Sequence, residues 1–398
     1  MTSKLTLPAT FMIILRFTRR LWVRVALMAG LALLAASSSV LLENYLPAGL
    51  GARLSMDMVT PILTILASGM LAVTTFSLNV MVSAHQAAAA QTTPRVRRIL
   101  MADGTTQTVL ATFIGAFVYA LSALVLVRAQ LYADGSAAIL MAVTVVVVAM
   151  VVIAVLRWVD HLSDLGSVDA TLAATEAEAR KILVQARKTP TLSAAPLTDE
   201  TVIAQDAQPL CARRSGYLQI IDLPGLSAAM QEDAMRVYLH KRPGDVVLKD
   251  TPLGYCAGCD AGAIRKIEEK LVIGDIRTFE QDASHGLSIL SEIAARALSP
   301  GINDSGTAID VVARLERLLW EWATTPRGEA PPAYPHIFLR DFDSQTLVDC
   351  AFAMTARDGA DKIEVVLRLA QALSNLAQGP DPDLARAARS MAGRLTAC

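Results

Sequence analysis

The sequence is poor in charged and aromatic side chains. Asp, Glu, Lys and Arg make up 18% of its 398 residues and aromatic residues 5%, whereas typical soluble proteins carry about 25% charged residues. The formal net charge of −1 gives no bulk attraction to nucleic acid, so we expect no nucleic-acid partner. The chain also lacks a P-loop and the GxSxG, HExxH and protein-kinase phrases. These absences argue against the familiar hydrolases and nucleotide enzymes.

Cysteine is scarce and irregularly spaced. The second half of the chain holds all five cysteines: Cys211, Cys256, Cys259, Cys350 and Cys398. An odd number without regular spacing is not a disulfide framework and favours a reducing compartment. Cys256 and Cys259 could form half of a zinc site or a redox pair, but no second CxxC or HxxxH supplies further ligands. We interpret the pair as structural or incidental, and whether it binds metal stays open.

Long apolar runs dominate residues 1–158. Four of them reach the length of about 20 helical residues that crosses a hydrocarbon core of roughly 30 Å. They are Leu21–Leu42, Val59–Ser83, Thr108–Val127 and Ala137–Leu156. The fold class predicted here is therefore an α-helical membrane protein with four transmembrane helices, in contact with the lipid bilayer.

Basic residues alternate along this region in a way that predicts its orientation. Before or just inside the first span lie Lys4, Arg16, Arg19, Arg20 and Arg24, the second loop carries Arg95, Arg97 and Arg98, and Arg157 follows the fourth span. The first and third loops carry only Arg53 and Arg128. The basic-rich segments face the cytoplasm in most membrane proteins, so both termini are predicted to be cytoplasmic. Arg95, Arg97 and Arg98 are candidate lipid-headgroup contacts.

The second span carries a polar stripe at helical spacing. Its polar members are Thr64, Ser68, Thr75, Asn79, Ser83 and Gln86. In a homo-oligomer such a stripe could line a water-filled path, with hydroxyl and amide groups replacing part of an ion's hydration. Equally, small and hydroxyl residues allow close helix packing in lipid. The central part of each span lacks Asp, Glu and Lys, which argues against an ion-coupled carrier.

The remainder predicts a cytoplasmic α+β region. We expect a helical stalk over residues 159–188, a linker over 189–200, a small β-rich module over 201–260 and a mostly helical domain over 261–398. The hairpin-like phrasing of the β-rich module resembles barrel-sandwich (lipoyl-type) folds. The carrier-lysine motif of biotinyl domains is absent, so no covalent cofactor is expected at Lys249, and the cofactors are unknown.

Two polar phrases flank one predicted helix, Ala283–Leu298. "RTFEQDASHG" precedes it and "SPGINDSGTA" follows it, and together they hold the cluster candidates Arg277, Glu280, Asp282, His285, Asn303 and Asp304. If a partner helix or neighbouring subunit joined the two phrases, their oxygens would suit a small ion or metal such as Mg²⁺ or Ca²⁺. Local chemistry also explains them: Arg277 can pair with Asp282, Asp282 and Asp304 or Ser305 can cap helices, and Gly301 can supply a turn.

Several phrases resemble a known bacterial family. They are "FSLNVMVSAHQAAAAQTTPRVRR", "SGYLQIID", "RPGDVV" and "RTFEQDASHGLSILSEIAARALSPGINDSGTA". Together they are similar to the predicted membrane proteins called domain of unknown function 2254, which typically read Ser-Pro-Arg at Thr93-Pro94-Arg95 and Asp-Pro at Asp304-Ser305. The resemblance implies a multi-pass protein of the bacterial inner membrane with a cytoplasmic tail. It implies no established activity, so no catalytic residue follows.

Three functional hypotheses follow from the sequence. The first is a homo-oligomeric, channel-like protein whose cytoplasmic domain assembles and gates it. The second is a membrane-anchored enzyme or sensor that depends on a metal bound by the cluster around Asp282, and the third is a scaffold without catalytic activity. The first accounts for the polar stripe and for the lack of charge in the spans.

Overall fold

The computed structural model describes residues 21–41, 56–91, 93, 95, 104–131, 136–162, 167–230 and 234–396. The chain divides into two compact units. The helical unit contains the described residues of 14–90 and 97–170, and the α/β unit contains those of 91–96 and 171–398.

The helical unit is built from α1 (Leu21–Leu41), α2 (Met56–Gln91), α3 (Gly104–Arg128) and α4 (Ser136–Leu162). Among the described residues, three segments are long and apolar enough to cross a membrane: Met56–Ala84, Gly104–Arg128 and Ala137–Leu162.

The first predicted span is not confirmed as a membrane crossing. Its residues form α1, in which Val25–Ala35 is a shorter apolar segment among the residues whose side chains the structure describes. The structure therefore supports three candidate membrane helices where the sequence predicts four.

Helix α3 lies at the centre of the helical unit. A Cβ added to Gly115 would lie 3.3 Å from Cβ of Met28, so this glycine allows α1 and α3 to approach closely. Towards α4, the Tyr119 hydroxyl lies 2.9 Å from Oγ1 of Thr144, which itself donates to the Leu140 carbonyl. Small residues and buried hydroxyl contacts thus join these helices, as is usual where lipid removes the hydrophobic drive for association.

Two open sheets form part of the α/β unit. The strands are β1 (Ala194–Pro196), β2 (Gln208–Cys211), β3 (Gly216–Ile221), β4 (Arg236–Leu239), β5 (Val246–Val247), β6 (Pro252–Ala257), β7 (Leu271–Gly274) and β8 (Tyr334–Leu339). The five-stranded sheet has the order β1-β8-β4-β6-β2, with β8 parallel to both neighbours, and the antiparallel three-stranded sheet has the order β5-β3-β7.

This topology does not confirm the predicted barrel-sandwich module, because the described strands close no barrel. Strand β8 overlaps residues 336–342, the short apolar run of the mostly helical region that could form a strand, and β1 lies in the predicted linker. A pairing between β1 and β8 joins segments about 140 residues apart, and local pattern carries no signal for such a contact.

The remaining elements of the α/β unit are helices. They are α5 (Val168–Lys188), α6 (Leu223–Ala229), α7 (Ala261–Glu268), α8 (Ala283–Ala297), α9 (Ser305–Thr324), α10 (Ser344–Asp358), α11 (Ile363–Ala377) and α12 (Pro382–Thr396). Aspartates cap the first turns of six of them: Asp222, Asp260, Asp282, Asp304, Asp343 and Asp381. An Asp at this position accepts bonds from otherwise unsatisfied backbone N–H groups.

Gly286 marks a close approach of α8 to α5. A Cβ at this position would lie 2.4 Å from Cβ of Ala179, so Gly286→Ala is expected to lower the free energy of unfolding by about 1–3 kcal/mol through overpacking. Gly393→Ala in α12 is the control, because no atom lies within 4 Å of its added Cβ. The control should stabilise by up to about 1 kcal/mol, as Ala favours a helix over Gly.

The measurement is the unfolding midpoint of the full chain in detergent. A Gly286→Ala protein as stable as the control variant would show that the two helices do not approach as described.

Candidate functional site

The polar stripe of α2 lies on the exposed side of the helix. Val59, Leu63, Leu66 and Met70 are buried in the core of the helical unit. All six polar stripe residues are exposed: Thr64, Ser68, Thr75, Asn79, Ser83 and Gln86. At 100° per residue the stripe lies roughly opposite the buried face. The described part of the chain therefore leaves the stripe exposed rather than packed against another segment.

Hydrogen bonds within α2 satisfy several of the stripe hydroxyls. Thr64 donates to the Thr60 carbonyl, Ser68 to the Thr64 carbonyl and Thr75 to the Leu71 carbonyl, each at 2.9 Å. The amide of Asn79 has no such bond within the described part of the chain. An amide without a partner is costly in hydrocarbon, by roughly 2–7 kcal/mol depending on the reference state. Asn79 is thus the stripe residue that most needs water or another polar group.

The second candidate site, around Asp282, is organised by an ion pair. Arg277 donates from Nε and Nη2 to the two carboxylate oxygens of Asp282, at 2.8 and 2.9 Å. The carboxylate also accepts from the backbone N–H groups of Ser284 and His285, both at 3.1 Å. Burial raises the pKa of Asp282, and the positive charge of Arg277 opposes that rise. These contacts match the pairing and capping that the sequence allows.

Among the described residues, the other cluster candidates complete no metal site with this ion pair. His285 is buried with its ring 4.8 Å from that of Phe279. Glu280 is half-buried. Asn303 and Asp304 follow α8, whose 15 residues span about 22 Å. Within the described residues, no group of three or more His, Cys, Asp or Glu side chains could hold a metal.

Turn chemistry explains the loop that follows α8. Asn303 has a φ of 52° and accepts a hydrogen bond from Lys362 at 2.7 Å. The residue with positive φ is therefore Asn303, and the expectation that Gly301 supplies this conformation is wrong. Asp304 caps α9 through Thr307, whose hydrogen bonds hold the pKa of Asp304 below its ordinary value. The cap is thus present at neutral pH and is lost as the pH falls through that lowered pKa.

Of the three arginines predicted to contact lipid headgroups, the structure describes only Arg95. Arg95 forms an ion pair with Glu292 of α8. Arg97 and Arg98 lie outside the described residues. Glu292 is thus one partner of Arg95, and the contact between Arg95 and a lipid headgroup stays a prediction.

Two clusters of partly buried charged side chains are not predicted by the sequence. The first surrounds Glu176. Glu176 of α5 accepts hydrogen bonds from three arginines, Arg180, Arg314 and Arg317. The only sequence signal was a charged residue among the apolar positions of a predicted helix. Such a position indicates a buried partner without identifying it.

The second cluster surrounds Arg242, in the "RPGD" phrase. Its guanidinium lies 3.6 Å from the ring centre of Phe342 and donates to the carbonyls of Pro190 and Arg340. Burial lowers the pKa of Arg242 to about 10, against the opposing charges of Asp341, Asp245 and Asp282. Arg242 therefore keeps its charge at neutral pH and joins three separate segments of the α/β unit.

Cys256 and Cys259 form a disulfide, with Cα atoms 5.9 Å apart. The sequence does not predict this pairing, because the number and spacing of its cysteines favour a reducing compartment. Gly258, at a φ of 70°, turns the chain between them at the end of β6. Both cysteines are buried in the core of the sheets. The geometry supports a structural role for the pair.

Comparison with known proteins gives a family and uncharacterized relatives. The family model for "Predicted membrane protein (DUF2254)" matches residues 18–375. Uncharacterized proteins of Mycobacterium bovis and Mycobacterium tuberculosis are each 33% identical over 184 residues, which is 44% of this chain and 35% of theirs. The chain thus spans about a third of the length of these curated relatives. No solved structure matches.

Proposed function

The chain belongs to the DUF2254 family of predicted membrane proteins, and we propose that it forms a homo-oligomer in which the α2 stripes of several copies enclose a water-filled path. In this arrangement α1 completes a set of four spans, and both termini lie in the cytoplasm. We further propose that the protein lies in the bacterial inner membrane and that its α/β unit acts in assembly and gating.

The observation that carries the proposal is the exposure of the whole stripe in a single chain. The buried face of α2 is already occupied by the core of its own unit. In a single chain within a bilayer, the exposed stripe would place the Asn79 amide against lipid. A second copy, or water between copies, removes that cost.

The extent of the stripe also fits a path across the bilayer. Thr64 and Gln86 are 22 residues apart in one continuous helix, which corresponds to a rise of about 33 Å. A hydrocarbon core is about 30 Å thick. Hydroxyl and amide groups therefore recur along the full depth that an ion would have to cross.

The test is ion flux through liposomes that contain the purified full-length protein. Asn79→Leu is expected to reduce flux on the order of tenfold, as removing one favourable polar contact per ion would do. Its oligomeric state, measured by light scattering in mild detergent, should not change. Val146→Leu at an exposed position of α4 is the control and should leave flux unchanged.

The outcomes separate the parts of the proposal. A monomer in mild detergent and in the bilayer would contradict the homo-oligomer. An oligomer that passes no ions under any gating condition tried would contradict the water-filled path and would assign the stripe to helix packing between copies.

A further inference from the structure

A pocket of about 650 Å³ opens between the first turns of α3 and the last turns of α4. Polar groups dominate its lining: Thr105, Thr108, Arg157, Asp160 and His161. Its volume lies within the roughly 300–1,000 Å³ of small-molecule sites. All these residues belong to the helical unit.

Arg157 and Asp160 supply opposite charges on one face of α4. Residues three apart on a helix are neighbours and commonly pair. Nevertheless, these two form no ion pair or hydrogen bond with each other or with any other described residue. The pocket thus presents one cationic and one anionic group, each available to a ligand.

The depth of the pocket matches the headgroup layer. The candidate membrane helix runs from Ala137 to Leu162, and its first 20 residues, which carry no charge, already rise about 30 Å, the thickness of a hydrocarbon core. Arg157, Asp160 and His161 follow in the next turn and a half. They therefore lie where phosphate and amine groups of phospholipids are found.

Contacts within the helical unit fix the backbone that forms the α4 side of this pocket. Thr106 Oγ1 lies 3.0 Å from Nε2 of His161, which joins the start of α3 to the end of α4. Trp158, between the two charged residues, is buried in the core. The charged side chains consequently project from a backbone that packing fixes on the other side.

We propose that this pocket binds the headgroup of a phospholipid that carries both a phosphate and a primary ammonium, as phosphatidylethanolamine does. Arg157 binds the phosphate by charge-assisted hydrogen bonds, and His161 and Thr108 lie beside it. Asp160 accepts hydrogen bonds from the ammonium. Free phosphoethanolamine carries the same phosphate and primary ammonium, so the test must distinguish a lipid from a soluble ligand. The proposal is independent of the water-filled path.

The test is native mass spectrometry of the delipidated full chain in detergent. It is titrated with phosphatidylethanolamine, phosphatidylglycerol, phosphatidylcholine and, separately, free phosphoethanolamine. Wild type is expected to prefer phosphatidylethanolamine over the other two lipids on the order of tenfold, from one additional charge-assisted bond. Phosphatidylglycerol lacks the ammonium, and the methylated amine of phosphatidylcholine cannot donate to Asp160.

Separate variants test the roles of Arg157 and Asp160. Asp160→Asn should abolish the preference for phosphatidylethanolamine over phosphatidylglycerol, because the carboxylate that pairs with the ammonium is gone. Arg157→Gln should weaken phosphatidylethanolamine binding on the order of tenfold, and Arg157→Lys should restore part of it. Arg128→Gln, at the opposite end of α3, is the matched control and should behave as wild type. Thermal unfolding confirms that each variant is folded.

Each outcome of the titration supports or contradicts the proposed headgroup site. Binding of the lipid alone supports the site with the bilayer as its source, and binding of free phosphoethanolamine with equal affinity supports the site with a soluble ligand. Equal affinity for all three lipids, or a folded Asp160→Asn protein that keeps the wild-type preference, overturns the proposal.

Discussion

Replacing Asp282 by Ala is expected to lower the free energy of unfolding by about 3–5 kcal/mol, as when one partner of a buried ion pair is removed. The substitution leaves Arg277 without its carboxylate and removes the acceptor of two backbone N–H groups at the start of α8. For a unit of this size, the unfolding midpoint should fall on the order of 10 °C. Tryptophan fluorescence of the full chain in detergent follows the loss, since Trp322 lies in the α/β unit.

Asp304→Ala is the matched control for Asp282→Ala. Asp304 also caps a helix, but it is exposed and no ion pair of Asp304 is found in the described part of the chain. Its loss should cost about 1 kcal/mol, the usual value for an N-cap. Asp282→Asn keeps a capping side chain but loses the charge. It should therefore lower the free energy of unfolding by less than Asp282→Ala and by more than Asp304→Ala. Equal costs for Asp282→Ala and Asp304→Ala would contradict the role of the ion pair.

Glu176→Ala should destabilise the chain by a similar amount, about 3–5 kcal/mol. The Glu176 side chain is 10% exposed and accepts from Arg180 on its own helix and from Arg314 and Arg317 on α9. Without this carboxylate, three guanidinium groups remain close together, and Arg314 is itself largely buried. The expected result is partial release of α5 from α9, measured as faster hydrogen exchange in both helices.

Glu178→Ala on the same helix is the control for Glu176→Ala. Glu178 is more exposed and makes one contact of 3.7 Å with Lys181. Pairs of this kind contribute about 0–1 kcal/mol, so stability and hydrogen exchange should barely change. If the two substitutions had the same effect, Glu176 would not be the residue that joins α5 to α9.

Local chemistry in the α/β unit was largely predictable from the sequence. The predicted helix Ala283–Leu298 ends one residue beyond α8, and α9 begins at Ser305, directly after the predicted capping residue Asp304. Both begin at a capping Asp, and α8 ends before the Ser299-Pro300 pair that disfavours helix. The interpretation of Arg277 and Asp282 as a pair rests on the same short-range reasoning, because five residues separate them.

Long-range arrangements were not predictable in this way. The pairing of β1 with β8, the three arginines around Glu176 and the stacking of Arg242 on Phe342 join segments far apart in the sequence. A periodic pattern shows that a residue faces a core, but it does not show which segment forms the other side. For the same reason the predicted barrel-sandwich module is replaced by two open sheets.

By itself, the sequence determined the membrane character of the chain, the polar stripe and most helix ends. These properties depend on composition and on contacts within a few residues. The tertiary structure alone decided that the stripe faces outward and that Arg157 and Asp160 share a pocket with the start of α3. Helical periodicity defines a face, but only the packing of the other helices decides whether that face is covered or left to lipid, water or a further copy.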